Sequence, residues 1–282
     1  MIINSIEKKD IDKIFANKSE KLMYLKELYG VKGILDELPT TVKDINNAIV
    51  DTWDYSVSNT IIRNMFKNTD KYNIGKYSDN ALKIMSDDWK KLELGELKWP
   101  FHPMGFDQYV HSVNCRDISE TEKDEIVKND IIKFRRIKRI NTFRNDFIEY
   151  LIVEYNSNVT PTLKHNRGLD FYINGYPFDQ KVSRSVTNEF KNYYGDNWKN
   201  VAKRNPNLVA EYLYKYQDES RFGVEPRLLI VYLDEDINEE DIYNCVKKVD
   251  LNKPIEISFD YHHSNGSIVN YHTECYVILL HK

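Results

Sequence analysis

The sequence predicts an α/β protein: a core with a mixed central sheet flanked by helices over residues 141–282, preceded by a mostly helical region over 1–140. Three observations carry that prediction. Apolar residues in the first 130 positions recur at helical spacing. Two Asn-Gly dipeptides in the second half sit between alternating stretches, as hairpin turns do. Between them, RLLIVYLDED is a continuous apolar run bounded by charge, expected of a strand covered on both faces.

In chain order, IEKKDIDKIFANKSEKLMYLKELYG reads as helix ending at Gly30, and TTVKDINNAIVDTWDYSVSNTIIRNMF as helix capped by Thr40 or Thr41. Residues 95–118, rich in Gly, Pro and aromatics, read as an ordered connection. Ser119 with Glu122 forms a capping-box pattern that opens another helix. A helix from about Thr142 to Tyr155 places Phe143, Phe147, Leu151 and Tyr155 on one stripe. Polar breakers follow, then a hairpin turning at Asn174-Gly175. Helical sequence runs from about Thr187 to Gln217, then come the apolar strand and a short helix near Asn238 to Val249. A second hairpin, turning at Asn265-Gly266, ends the chain.

Composition narrows the class. Ile, Leu, Val and 20 tyrosines recur throughout the 282 residues, which excludes wholesale disorder. No apolar window approaches a membrane span, and the charged N-terminus lacks the apolar core of a secretion signal, so a cytoplasmic protein is expected. Three dispersed cysteines form neither a disulfide framework nor a paired-cysteine zinc site. Net charge is −4, so any nucleic-acid contact must rest on a local cluster. One exists at 133–144, KFRRIKRINTFR, with six basic residues and no acid. No Walker loop or dinucleotide glycine pattern is present, so no nucleotide cofactor is expected.

The first hairpin carries chemistry. With Asn174 and Gly175 as the turn, Ile173 faces Tyr176, Phe171 faces Phe178, and Asp170 faces Asp179. Lys181, two residues on, returns to the face of the two aspartates, while Phe171, Ile173, Tyr176 and Phe178 fall on the other. Two opposed carboxylates resist joint ionisation unless something positive intervenes. Lys181 partly supplies it. A hard divalent cation such as Mg²⁺, which takes carboxylate oxygens and keeps waters for chemistry, supplies it better. The pattern is Asp, eight residues, Asp-x-Lys, a set able to cut phosphodiesters.

Asp170, the hairpin and Asp179-Gln180-Lys181 together resemble the PD-(D/E)XK nucleases, the restriction-endonuclease-like superfamily. The preceding helix and the following helix, strand and helix fit that resemblance, which spans about 100–140 residues. The proline that often precedes the first aspartate is replaced by Leu169. The resemblance implies that Asp170 and Asp179 bind Mg²⁺, with Mn²⁺ substituting, and that Lys181 assists the attacking water. It also implies a helix-borne glutamate, for which Glu149 is chosen over Glu154. The implied activity is Mg²⁺-dependent endonuclease cleavage of double-stranded DNA, most simply as a type II restriction enzyme acting as a homodimer. Other nucleases of the superfamily (a defence effector, a repair enzyme, a junction resolvase) and a catalytically inactive DNA-binding protein on the same scaffold are the alternatives. Residues 1–140 would then serve dimerisation, DNA clamping or sequence reading.

Arg135, Arg136, Lys138 and Arg139 are candidates for tracking a phosphate backbone, the rival reading being a solvated helix face. Ser183 and Arg184, directly after the Asp-x-Lys strand, are further candidates for phosphate contact. His262, His263, His272 and Cys275 lie in poor register for zinc, His272 being expected opposite Phe259, and read as polar strand residues. Trp53, Tyr55, Trp89 and Trp99 read as core.

Overall fold

The computed structural model describes residues 1–76, 100–101, 105–166, 168–219, 222–234 and 237–282, with the side chains of 74–76 and 165–166 left aside. It has an α/β architecture: a six-stranded mixed sheet flanked by helices, behind a helical N-terminal region. The strands are β1 (Val159–Asn166), β2 (Leu169–Ile173), β3 (Tyr176–Ser183), β4 (Arg227–Tyr232), β5 (Ile255–His262) and β6 (Ile268–Leu280). Their order is β1-β2-β3-β4-β6-β5, with β3, β4 and β6 mutually parallel and the other pairings antiparallel.

The N-terminal region begins with α1 (Lys8–Ile14), α2 (Lys18–Lys32), α3 (Val42–Thr52), α4 (Tyr55–Phe66) and α5 (Asp70–Lys76). The first expected helix is therefore two, and α2 runs through Gly30 to stop at Gly33, whose φ of 66° suits a left-handed cap. Thr41 caps α3 as expected, but the helix breaks after Thr52 and Asp54 caps a new one. The stretch read as a connection holds a helix, Phe106–Asn114. Its residues 95–99 and 102–104 lie outside the described residues, as do Trp89 and Trp99. Trp53 and Tyr55 do pack against a core.

Ser119 and Glu122 form the expected capping box, and the helix they open is longer than its sequence suggests. It runs unbroken from Glu120 to Tyr155, so the helix expected at 142–155 is its second half. The division expected at 140/141 falls inside it. Arg63 of α4 ties its C-terminal end to the sheet, the guanidinium donating to the carbonyls of Val153 (2.6 Å), the cap residue Asn156 (2.7 Å) and Val159 at the start of β1 (2.8 Å). A cation there opposes the negative end of the helix dipole.

One strand was not expected. β1 occupies the polar stretch VTPTLKHN at the sheet's edge, where Pro161 is tolerated because an edge strand has solvent-side positions needing no donor. The first hairpin follows its expected register, Phe171 opposite Phe178, Tyr172 opposite Pro177 and Ile173 opposite Tyr176. Asn174 (φ 51°) and Gly175 (φ 76°) form the turn. Gly175 is further constrained from outside: a Cβ there would collide with the Ile3 side chain, and its carbonyl accepts from the Ile2 amide at 2.8 Å. The second hairpin departs from expectation. His262 pairs with Ile268 across a five-residue loop, so His272 opposes Ser258 rather than Phe259. Asn265 does not act as a simple turn residue; its side chain accepts from the amide and hydroxyl of Ser267.

Three cores fix the layers. Phe171, Ile173, Phe178, Leu228 and Ile230 pack against the long helix. On the opposite face Leu229 and Val231 meet the helices between Asn188 and Lys215. Tyr172 and Leu169 pack with α1 to α4. β4 is buried at every residue, as its unbroken apolar run predicts. No helix among the described residues is long and apolar enough to cross a membrane.

Candidate active site

β3 departs from the hairpin halfway along. From Tyr176 to Phe178 it pairs with β2; from Asp179 onward it pairs with β4, and the Asp179 amide donates to the Pro226 carbonyl at 3.1 Å. The expected Asp170–Asp179 opposition is therefore not a ladder pair. In its place the Asp170 carboxylate accepts the Gln180 backbone N–H at 2.8 Å. This puts the first aspartate against the residue between Asp179 and Lys181.

Asp179 and Lys181, two apart on β3, share the face opposite the long helix. Asp179 is 4% exposed, and the Lys181 ammonium lies 2.7 Å from its Oδ2. That approach is outside hydrogen-bonding geometry, and Oδ2, buried, has no hydrogen-bond donor. The ion pair is thus a Coulombic contact that leaves a directional site on the oxygen unfilled. Lys181 itself is half exposed, so its ammonium touches both solvent and the buried carboxylate.

The long helix brings a second pair of acids. Glu149 is buried, with its Oε2 2.5 Å from Lys71 Nζ of α5. Burial pushes its carboxyl above the usual range; Lys71 pulls the other way, and the charges of Asp170 and Asp146 push it up further. Asp146, one turn earlier, is also buried, and burial raises its carboxyl likewise. Glu149 is thus within electrostatic range of Asp170, while Glu154 is exposed and accepts from Tyr72 Oη at 3.1 Å. Asp146 and Lys71 were missed from sequence. The i, i+3 spacing of Asp146 and Glu149 puts them on one face and was the available signal; Lys71, 78 residues away, gave none.

No family model, no curated protein and no solved structure matches this chain. Function must rest on the site.

The donor set facing Asp170 and Asp179 is oxygen only, and one of its buried oxygens has no hydrogen bond, which fits a hard divalent cation. Among the described residues no three acidic, histidine or cysteine side chains converge closely enough to hold a metal ion. Mg²⁺ asks for less, taking one or two protein carboxylates and keeping its waters. The second hairpin offers nothing comparable. His263 is engaged by Glu219 (3.0 Å) and Tyr271 (2.9 Å), and burial pushes the Cys275 thiol up to about 12.

The other candidates lie apart. Arg135, Lys138 and Arg139 are exposed and Arg136 half-buried. At 1.5 Å per residue Lys138 and Arg135 stand about 16 and 21 Å up the helix from Glu149. Ser183 Oγ donates to the Ser185 carbonyl at 2.6 Å. Arg184 lines a cavity of about 330 Å³ with Lys191, Trp198 and Lys199, beyond the carboxyl ends of β3 and β4.

Proposed function

We propose that this chain is a Mg²⁺-dependent endonuclease of the restriction-endonuclease-like type that hydrolyses phosphodiester bonds in duplex DNA, working in the cytoplasm as a type II restriction enzyme does. The observation that carries the proposal is the junction at Asp170: its carboxylate is bonded to the amide between Asp179 and Lys181, with Glu149 in electrostatic reach. Asp170 and Asp179 would hold the cation, Mn²⁺ being an acceptable substitute, while Glu149, on the long helix across the sheet from Asp179, would act through its charge on Asp170. When bound, the cation polarises a phosphoryl oxygen and lowers the pKa of water. Lys181 Nζ, at once exposed and beside Asp179, orients the attacking water and offsets charge gathering on the phosphate oxygens. Lys71 neutralises part of the carboxylate charge that otherwise repels a phosphate. Arg135, Arg136, Lys138 and Arg139 run along the helix that bears Glu149 and meet backbone phosphates outside the cleavage point, as do Ser183 and Arg184 at the other end of β3.

The test is plasmid DNA incubated with the protein in Mg²⁺ or in EDTA. Cleavage is expected only with Mg²⁺, and Asp179→Ala or Lys181→Ala should reduce it at least about 10²-fold with unchanged circular dichroism. Full activity in either variant removes the site. Discrete fragments indicate restriction; general degradation, or preference for branched or single-stranded DNA, indicates a defence, repair or junction nuclease of the same type. A second reading, a DNA-binding protein without catalysis, is favoured by the lack of a three-ligand cage among the described residues. Calorimetric Mg²⁺ binding that disappears in Asp170→Ala argues against it.

A further inference from the structure

Four charged side chains meet where β3 passes from β2 to β4. Asp179 stands in register with Arg227 of β4, so both point to the face opposite the long helix. Both are buried, at 4% and 5% exposure. Two partners stand at the solvent edge: Lys181 beside Asp179, and Glu225, whose carboxylate accepts from Arg227 Nη2 at 2.7 Å. The Lys181 side chain is 52% exposed and that of Glu225 44%. Burial pushes the Glu225 carboxyl up, but Arg227 and, less strongly, Lys181 hold it below the usual range. Acid and base thus alternate around the group, with Lys181 between two carboxylates.

The two cations differ in freedom. Arg227 is clamped: it donates to Gln217 Oε1 at 2.7 Å as well as to Glu225, and its guanidinium lies 4.9 Å from the centre of the Tyr214 ring. It stays beside Asp179 as a fixed positive charge. Lys181 meets Asp179 by Coulombic contact, from the end of a flexible four-carbon stem. Glu225 is anchored as well. Its backbone carbonyl accepts from Tyr214 Oη at 2.9 Å, and a Cβ on Gly223 would collide with its carboxylate. Of the four groups, the Lys181 ammonium is the one able to move.

Asp179 Oδ2 is the oxygen on which the cation reading above rests, and the ammonium lies against it. Two positive charges at one oxygen repel, so a divalent cation must displace Lys181. An ammonium pushed into open water loses its carboxylate partner, whereas one passed to Glu225 keeps one. We propose, on that cation reading, that Lys181 has two stations, Asp179 before the cation binds and Glu225 afterwards. Glu225 is then a positioning residue: it touches neither the phosphate nor the attacking water, but sets where the Lys181 ammonium meets them. Arg227 holds the second station in place and keeps a positive charge beside Asp179 while Lys181 changes partner.

The test is Mn²⁺ alone titrated into the full chain, with binding read from the loss of the free ion's paramagnetic resonance signal. Lys181→Met removes the competitor and should tighten binding at least about fivefold. Glu225→Gln removes the second station and should weaken binding about threefold, the size of an exposed ion pair. In the Lys181→Met background Glu225→Gln should change nothing, because Glu225 acts only through the ammonium. Every variant should keep the native circular dichroism, since both side chains stand at the solvent edge. Unchanged binding in Lys181→Met overturns the proposal. So does a Glu225→Gln loss that persists at full size in the double variant, which marks Glu225 as attracting the cation directly. Either result leaves the cation site itself standing. Absence of Mn²⁺ binding to the native chain and to Lys181→Met alike removes the site and the two stations together.

Discussion

The two halves of the Glu120–Tyr155 helix share a backbone and little else. Beyond Arg136 the helix contributes Ile140, Phe147, Ile148, Leu151 and Ile152 to the main core and holds two buried acids beside β2. Before it, capped by Ser119, the helix is charged on nearly every face and carries no buried residue. Helices in water owe most of their stability to packing rather than to propensity. The second half is therefore held by the sheet, and the first by a capping box and the short helix beside it. A rigid half sets the position of Glu149, while the other half carries little packing.

The sharpest way to break this comparison is to truncate one isoleucine in each half. Ile152→Ala, at a fully buried position, should cost about 3 kcal/mol in urea unfolding. Ile132→Ala should stay within about 0.5 kcal/mol. Equal costs would mean the first half is packed after all. Next in size is Arg63→Met, which keeps the aliphatic stem but strips three carbonyls at the buried end of their charged donor. Unfolding free energy should fall by about 2 kcal/mol. The smallest effect is Ser119→Ala, worth about 1 kcal/mol locally. It should speed amide exchange at residues 120–123 without moving the global melting temperature, because the end of an unpacked helix opens by itself. A shift in global melting would couple the halves more tightly than their packing suggests.

Much of this was legible because its cause is local. Asn174-Gly175 needs two positive φ values, and that alone set the register that sorts Phe171, Ile173 and Phe178 to the helix side. Ser119 and Glu122, Thr41, and the uninterrupted apolar run of β4 were readable for the same reason. What escaped is decided at a distance. Pro161 and the polar residues around it hid β1, whose strand conformation comes from pairing with β2. Gly30 looked like a stop, yet α2 stays helical for two more residues and ends where Gly33 turns left-handed. The opposition of Asp170 and Asp179 assumed that β3 stays with β2, whereas its amides pass to β4 and the Pro226 carbonyl from Asp179 onward. Asp146 is buried only in the folded chain, and Lys71 enters the site only through the packing of α5 on the long helix.

The docking of Ile2 and Ile3 on the turn at Gly175 bears on the order of events during synthesis. The partners are about 170 residues apart, so at ribosomal speeds the opening segment waits on the order of ten to thirty seconds before its acceptor exists. Helices α1 to α4 can form early, but the cluster they share with Tyr172 closes only once the hairpin has emerged. Closure of that cluster therefore waits for the hairpin, and a pause in translation before residue 175 would leave it open to non-native contacts.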